Sequence, residues 1–320
     1  MIALVTGAAG FIGHHLVHRL LGEDDEVVGV DSLITGSMDR VQPFLDRYPR
    51  QYRFRNLDLV DAGSVEDLFS QRFDVVFHLA ALGSVPRSIT DPCGVVMNNV
   101  LSTAHALWMA HKTNVKRFVY SSSASVYGNS EFSLKDEACY LEPSNPYGVS
   151  KLAAEKMVRV FWSIYELPTV SLRYFNVFGP GQTVGSPYSA VIPAWLAALE
   201  DDEPMSIHGD GEQSRDFTYV SNVVESNMLA ASSQETAFGE DFNVGCGRLT
   251  SINTLSTLIG NCWGPPAVIK HVMSRPGDVR ASMASISKAS VILGYTPKVQ
   301  IEEGAERTVE WFRRRNGKED

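Results

Sequence analysis

Six short apolar runs punctuate the first 178 residues: IALVT, EVVGVD, YRFRNLDL, DVVFHLAA, KRFVYSSSA and PTVSLRYFNV. Each is strand-like, and amphipathic helical stretches separate most of them. This alternation predicts an α/β fold, a Rossmann-type doubly wound parallel sheet with helices on both faces. Beyond about residue 178 the order turns irregular, with Pro/Gly-rich stretches such as FGPGQTVGSP and IHGDGEQSRDF. These predict a smaller, mixed, loop-rich C-terminal part packed on the C-terminal edge of the sheet. YVSNVVESNMLAAS then reads as a helix that returns to the first part, and the tail RRRNGKED reads as frayed.

Composition narrows the classes of partner. The chain has 320 residues, 44% hydrophobic and 20% charged, enough for a large core. With 28 Lys+Arg against 37 Asp+Glu the formal charge is -9, so no basic field exists to collect nucleic acid or anionic lipid. Phosphate must therefore be bound locally. Cys93, Cys139, Cys246 and Cys262 are scattered without a C-x-x-C pair, which suggests neither a zinc site nor a disulfide framework. No basic leader precedes MIALVTG and no apolar run approaches membrane-spanning length, so a cytoplasmic protein is expected.

The first motif is TGAAGFIG, in which Gly7, Gly10 and Gly13 follow a strand and open a helix, with Phe11 and Ile12 between the last two. Glycines there let the backbone turn tightly against a pyrophosphate, and the helix N-terminus aims unpaired N–H groups at it. A Gly-rich turn without a ligand would read the same. Asp31, which ends the second strand, tips the balance, because a carboxylate there accepts hydrogen bonds from a ribose diol and repels a 2′-phosphate. NAD is expected over NADP. Asp58 and Leu59, after the third strand, are placed to meet the adenine, although a solvated strand-end Asp is the competing reading. The expected division is residues 1–175 as an NAD-binding domain with a return segment near 217–244. Residues 176–216 and 245–320 would form the second, substrate-binding domain.

Tyr147 and Lys151 in PYGVSK lie four apart on one helix face. Alone that spacing describes a surface pair, but it follows YSSSASVYG, a strand that ends in serines at the ligand-binding edge of such a sheet. Making a tyrosine of pKa ≈ 10 a base near pH 7 takes about 3 units, or ~4 kcal/mol, from nearby positive charge. Lys151 and an oxidised nicotinamide could supply it. Ser123 would then hydrogen-bond the substrate oxygen that Tyr147 deprotonates.

The chain resembles the extended short-chain dehydrogenase/reductase family, and within it the nucleotide-sugar 4-epimerases. The resemblance runs through TGAAGFIG, HLAALGSVPRSI, NNVLST, SSSASVYG, PYGVSK, RYFNVFGPGQ, GDGEQSRDFTYV and RPGDVRASMASISKASVILGY, nearly the whole chain. It implies that the tyrosine takes the proton of the sugar's 4-hydroxyl as C4 delivers hydride to NAD. The 4-keto sugar then turns over and takes hydride back on its other face. It further implies that Ala80 and Ala81 line the cofactor and that Asn99 reaches its nicotinamide ribose. Asn176, Arg215 and Arg275 would hold the nucleotide diphosphate, with Asp278 on the nucleotide ribose. Two arginines suit a diphosphate clamp in an acidic protein, while an ion pair of Arg215 with Asp210 or Asp216 is the plainer alternative.

The related sugar 4,6-dehydratases carry an Asp-Glu pair after the catalytic Ser/Thr, where this chain has Ala124 and Ser125. Without that carboxylic acid, elimination lacks its general acid. A uronic-acid substrate calls for a cation near C6, and TVGSPYSAVIPAW supplies none. The apolar Val191, Ile192 and Pro193 resemble a segment closing over the base, whereas Ala194, Trp195 and Leu196 read as helix packing. Gly83 and Ser84 in ALGSVPRSI resemble the form that handles N-acetylated sugars. Ser282 stands where the family carries a large tyrosine if only plain hexoses are accepted, so it leaves room for a 2-acetamido group. The expected substrates are UDP-GlcNAc/UDP-GalNAc and UDP-Glc/UDP-Gal. A homodimer through Leu101 to Ala110 and Lys151 to Ile164 is expected, since both helices are more apolar than one buried stripe requires. Competing readings are a different nucleotide-sugar modifier and a non-catalytic NAD-binding sensor.

Overall fold

The computed structural model describes residues 1–129, 133–182, 190–264, 267–274 and 280–315. The apolar runs become β1 (Ile2–Thr6), β2 (Glu26–Asp31), β3 (Tyr52–Asn56), β4 (Val75–His78) and β5 (Arg117–Ser123). After the two-residue β6 (Leu134–Lys135) come β7 (Thr169–Tyr174), β8 (Val177–Phe178), β9 (Met205–His208), β10 (Ser214–Arg215) and β11 (Thr218–Tyr219). Last are β12 (Glu240–Val244), β13 (Thr250–Ser251), β14 (Ile269–Val272) and β15 (Ala281–Ala284). The main sheet runs β12-β7-β5-β4-β1-β2-β3, every neighbouring pair parallel, which is the expected Rossmann arrangement. Its central strands are buried on both faces, as a parallel sheet between helices must be, while the edge strand β3 alternates.

The helices are α1 (Phe11–Gly22), α2 (Gln42–Arg47), α3 (Ala62–Leu68), α4 (Val85–Thr90), α5 (Pro92–Val96) and α6 (Ser102–Lys112). They continue with α7 (Pro146–Tyr165), α8 (Val191–Glu200), α9 (Val220–Ala231), α10 (Ile252–Trp263), α11 (Ser287–Leu293) and α12 (Ile301–Arg315). On one face of the sheet Leu16 and Leu20 of α1 and Val223 of α9 pack against Val5, Val119 and Leu172. On the other, Val65 of α3, Leu107 of α6 and Val158 of α7 cover Leu4, Val28 and Phe118. A third core joins α8, α10 and α12 through Trp195, Leu255 and Phe312. The smaller part is mixed: β13 pairs antiparallel with β10, which pairs parallel with β15, and β15 with β6.

Three features depart from the sequence reading. PTVSLRYFNV is two strands, because Asn176 takes φ +26°, a left-handed conformation that asparagine tolerates, and turns the chain from β7 into β8. EDFNV forms the edge strand β12 although Asp and Asn are poor strand formers; Phe242 and Val244 lie fully buried and fix its place beside β7. Arg313, Arg314 and Arg315 continue α12 where the tail reads as frayed, their charges complementing a helix that begins with Glu302 and Glu303. Residues 316–320 lie outside the described residues.

Candidate functional site

Strand order reverses between β1 and β4, and ligands of open parallel sheets bind beyond the C-terminal ends at such a point. A cavity of about 1100 Å³ opens there. Its dinucleotide end is backbone. Gly7 has φ +70°, and a Cβ on it would come 2.9 Å from the Ala80 nitrogen. A Cβ on Gly13 would lie 2.0 Å from the Gly7 carbonyl oxygen, so only glycine lets α1 start this close to the turn. Gly10 caps α1 without a side-chain bond, and Gly10, Phe11, Ile12 and Gly13 line the cavity. That leaves the N-terminal N–H groups of α1 for an anion.

Asp31 lines the cavity from the end of β2. Its Oδ2 accepts the Ala9 N–H at 3.0 Å and its Oδ1 the Leu33 N–H at 2.8 Å. Burial pushes its pKa up, while those two bonds and the nearby Arg40 guanidinium pull it down. Each oxygen keeps a lone pair for a ribose hydroxyl. Arg40, which the sequence reading passed over, also lines the cavity and donates to the Ala9 and Gly181 carbonyls at 3.0 and 2.8 Å. It ties the glycine turn to the loop after β8. Asp58 and Leu59 are on the wall, the former also accepting the Val60 N–H at 2.9 Å. Ala80 and Ala81 are there too.

Asn99 is not on the cavity wall. It sits on a single π-helical turn, Met97–Leu101, and is 1% exposed. Its Oδ1 accepts the Leu82 N–H at 2.7 Å, and its Nδ2 donates to Leu82 O at 3.3 Å and Ser150 Oγ at 2.9 Å. Both amide hydrogens are therefore engaged, and the residue stands off the cavity wall, behind Leu82. Asn98 and Ser102 face the cavity in its place.

Tyr147 and Lys151 come from the first turns of α7, which Asn145 caps by accepting the Gly148 N–H at 2.9 Å. Lys151 is 3% exposed and donates to Ser121 O at 2.6 Å. Burial pushes its pKa down to about 7. Burial pushes the Tyr147 phenol up, and the hydrogen bond from the Ser123 hydroxyl counters this. Ser123 Oγ accepts the Ser125 N–H at 3.1 Å, which leaves its own hydrogen for the phenol or for a substrate oxygen. Burial of Tyr147 thus adds to what positive charge must supply before it can act as a base. All three side chains, with Ala124 and Ser125, line the same cavity as Asp31.

At the other end of the cavity stand Asn176, Arg215, Gly83, Ser84, Val191 and Ile192. Asn176 Nδ2 donates to Asp216 O at 3.1 Å. Asp210 pairs with Arg280 at 2.9 Å. Asp216 accepts the N–H groups of Cys246, Gly247 and Ala284. Ser84 accepts the Arg87 N–H at 3.2 Å as the cap of α4. Ser282 is in register with Arg215 on the neighbouring strand and is not itself on the wall. Arg275 and Asp278, with the stretch 183–189, lie outside the described residues. Pro193 is buried and off the cavity wall, Trp195 and Leu196 pack in the core as expected, and Ala194 is exposed on the wall, which corrects the packing reading for Ala194 alone. Trp195 also lines the cavity, and its Nε1 donates to Ser206 O at 2.8 Å. Ser206, His208, Gln213 and Phe217 complete this end; the last two fall within GDGEQSRDFTYV, but the sequence reading gave none of the four a role. Among the described residues no helix is long and apolar enough to cross a membrane, and no group of three His, Cys, Asp or Glu could hold a metal ion.

Residues 3–245 match the NAD dependent epimerase/dehydratase family. The UDP-glucose 4-epimerase of Mycolicibacterium smegmatis is 34% identical over 317 residues, covering 99% of this chain and 100% of that one. Among solved structures, the UDP-N-acetylglucosamine 4-epimerase of Methanobrevibacter ruminantium in complex with UDP-N-acetylmuramic acid matches with TM-score 0.91 at 36% identity, over 98% of each chain. The UDP-glucuronic acid 4-epimerase of Bacillus cereus in complex with UDP-glucuronic acid and NAD matches with TM-score 0.90 at 32% identity, over 98% of this chain and 99% of that one. These relatives share one fold and differ in the sugar named.

Proposed function

The chain belongs to the NAD dependent epimerase/dehydratase family, and from that premise we propose that it interconverts UDP-sugars epimeric at C4, both the N-acetylhexosamine and the plain hexose pairs. Its cofactor is NAD, and Gly7, Gly10, Gly13 and Asp31 fit it: the glycines leave room for a pyrophosphate and the carboxylate suits a ribose diol. Held there, NAD would supply a reversible acceptor for hydride, so that the cycle has no net redox change. The chain's own residues handle the proton. Tyr147 takes it from the 4-hydroxyl at its phenolate oxygen, Ser123 donates a hydrogen bond to the sugar oxygen, and Lys151, one turn on along α7, supplies positive charge. On release the same tyrosine hands the proton back.

The observation that carries this reading is the convergence of Ser123, Tyr147 and Lys151 on the cavity that Asp31 enters from the far side of the switch point. Ala124 and Ser125 supply no carboxyl group for an elimination. No Lys or Arg occurs in the sequence between Gln182 and Trp195 to pair with a uronate, which favours a neutral hexose. Gly83 and Ser84 on the wall are small, which favours acceptance of an acetamido group, and Ser282, off the wall beside Arg215, puts no bulk against it. On this reading residues 1–175 and 217–244 hold the cofactor, and 176–216 with 245–320 hold the nucleotide sugar through Arg215 and Arg275. The protein works in the cytoplasm as a homodimer. Purified protein given UDP-GlcNAc or UDP-Glc without added NAD should yield the C4 epimer, read by NMR. Product altered at another carbon, or none, would overturn the assignment.

A further inference from the structure

Tyr147, Lys151 and Glu155 recur every fourth residue on α7 and form one stripe. Each meets the end of β5. The Tyr147 phenol bonds the Ser123 hydroxyl, Lys151 Nζ donates to Ser121 O at 2.6 Å, and Ser122 Oγ donates to Glu155 Oε2 at 2.7 Å. The first two rungs belong to the reaction; the third has no part in it so far.

Glu155 is fully buried, and what permits its charge lies on the neighbouring strand. Arg173 of β7 is in register with Ser122 of β5, and Asn243 of β12 is in register with Arg173, so the three form one row across the sheet. Arg173 grips Glu155 with both sides of its fork, Nε to Oε2 at 2.9 Å and NH2 to Oε1 at 2.7 Å. Its NH1 donates to Tyr127 Oη at 2.9 Å, and Tyr127 donates in turn to Asn243 Oδ1 at 2.7 Å. The catalytic serine's segment, 122–127, is thus tied at both ends to one guanidinium: at Ser122 through Glu155, and at Tyr127 directly. A buried ion pair is poor value as a stabiliser, since apolar residues of the same volume often do as well. What it does here is fix distances among three strands and a helix.

We propose that Glu155, clamped by Arg173, is a positioning residue that holds the end of β5 at a set height against α7 and so fixes the separation of the Ser123 hydroxyl from the Tyr147 phenol. The proposal rests on the catalytic roles given above to Ser123 and Tyr147. Ser122→Ala removes the third rung alone and leaves the Glu155–Arg173 pair and the Tyr127 tie in place, so the variant should fold. It should lower kcat about tenfold or more, with KM for the UDP-sugar and the content of bound NAD unchanged, because reacting groups tolerate little displacement. Ser122→Thr, which keeps the hydroxyl, should restore kcat to within about twofold of the wild type. In crystals of the alanine variant, Ser123 Oγ and Tyr147 Oη should stand farther apart than in the wild type. An unchanged kcat, an unchanged separation, or a threonine variant as slow as the alanine one overturns the proposal. A wild type inactive on UDP-sugars would remove the functional reading instead, and the crystallographic separation would then decide the positioning role by itself.

Discussion

Tyr147 is caught between two effects of its position: burial raises the phenol and the Ser123 hydroxyl lowers it. Replacing it with phenylalanine removes the base while keeping the ring that packs there. Tyr147→Phe should therefore lower turnover by about 10²–10⁴ with bound NAD retained, checked by steady-state rates and cofactor release on denaturation. His14 makes a different use of burial. With its Nδ1 on Gly10 O at 3.0 Å and its pKa pushed down to about 3, it stays neutral in the fold while the unfolded chain protonates it below its ordinary value of 6.5. The unfolded state binds the extra proton, so the stability this group contributes is whole above pH 6.5 and is lost as pH falls toward 3. Between pH 7.5 and 5 the wild type should lose about 2 kcal/mol more than His14→Asn, measured by urea unfolding. Asp216, whose burial pushes it up to about 6, acts in the opposite sense but is common to both proteins. Equal losses would show that His14 titrates normally. Ser282 stands off the cavity wall beside Arg215, so in the proposed function a larger side chain there is what would reach the sugar: Ser282→Tyr should cut kcat/KM for UDP-GlcNAc strongly and spare UDP-Glc. Equal losses on both would remove the N-acetyl substrate from the reading.

At the scale of elements, α1 and the π-helical turn do complementary work. α1 can begin over the glycine turn only because Gly13 has no Cβ. Gly13→Ala should push the helix off Gly7 and give protein purified without NAD, which cofactor analysis of the preparation would show. The π-helical turn places Asn99 where it bonds Leu82 twice and Ser150 once. Asn99→Ala leaves those groups without partners and should cost about 1–3 kcal/mol in unfolding free energy. The glycine spacing announces α1 in the sequence. Nothing announces the π-helical turn, because one inserted residue in a helix leaves the local propensities unchanged and depends on the packing of the turn against α5 and α7.

For the molecule as a whole, the outer faces of α6 and α7 carry large apolar side chains among the exposed Lys112, Lys156 and Arg159. Trp108 is 43% exposed and Ile164 67% exposed, with Val160 and Tyr165 nearby along α7. Large side chains clustered in this way mark a contact surface. If two copies meet there, light scattering should give twice 35.2 kDa, and Ile164→Glu should shift the protein toward the monomer. A wild type of monomer mass at working concentration would remove the dimer from the proposal.

Features governed by local rules are legible in the sequence. Strand, glycine turn and helix follow within thirteen residues, Asp31 ends the next strand, and Tyr147 and Lys151 share a helix face because four residues make about one turn. These features lie close along the chain, so spacing alone places them. Which strands are neighbours emerges in the folded chain alone, and with it the row Ser122, Arg173 and Asn243 beside Glu155, from segments up to 121 positions apart in the difference between 243 and 122. The same holds for Arg40 reaching Gly181, for Trp195 facing the cavity from a core helix, and for Asn99 standing behind Leu82. Each depends on long-range packing and register, which hydrophobic periodicity leaves open: it says that a strand is buried, and packing chooses what it is buried against.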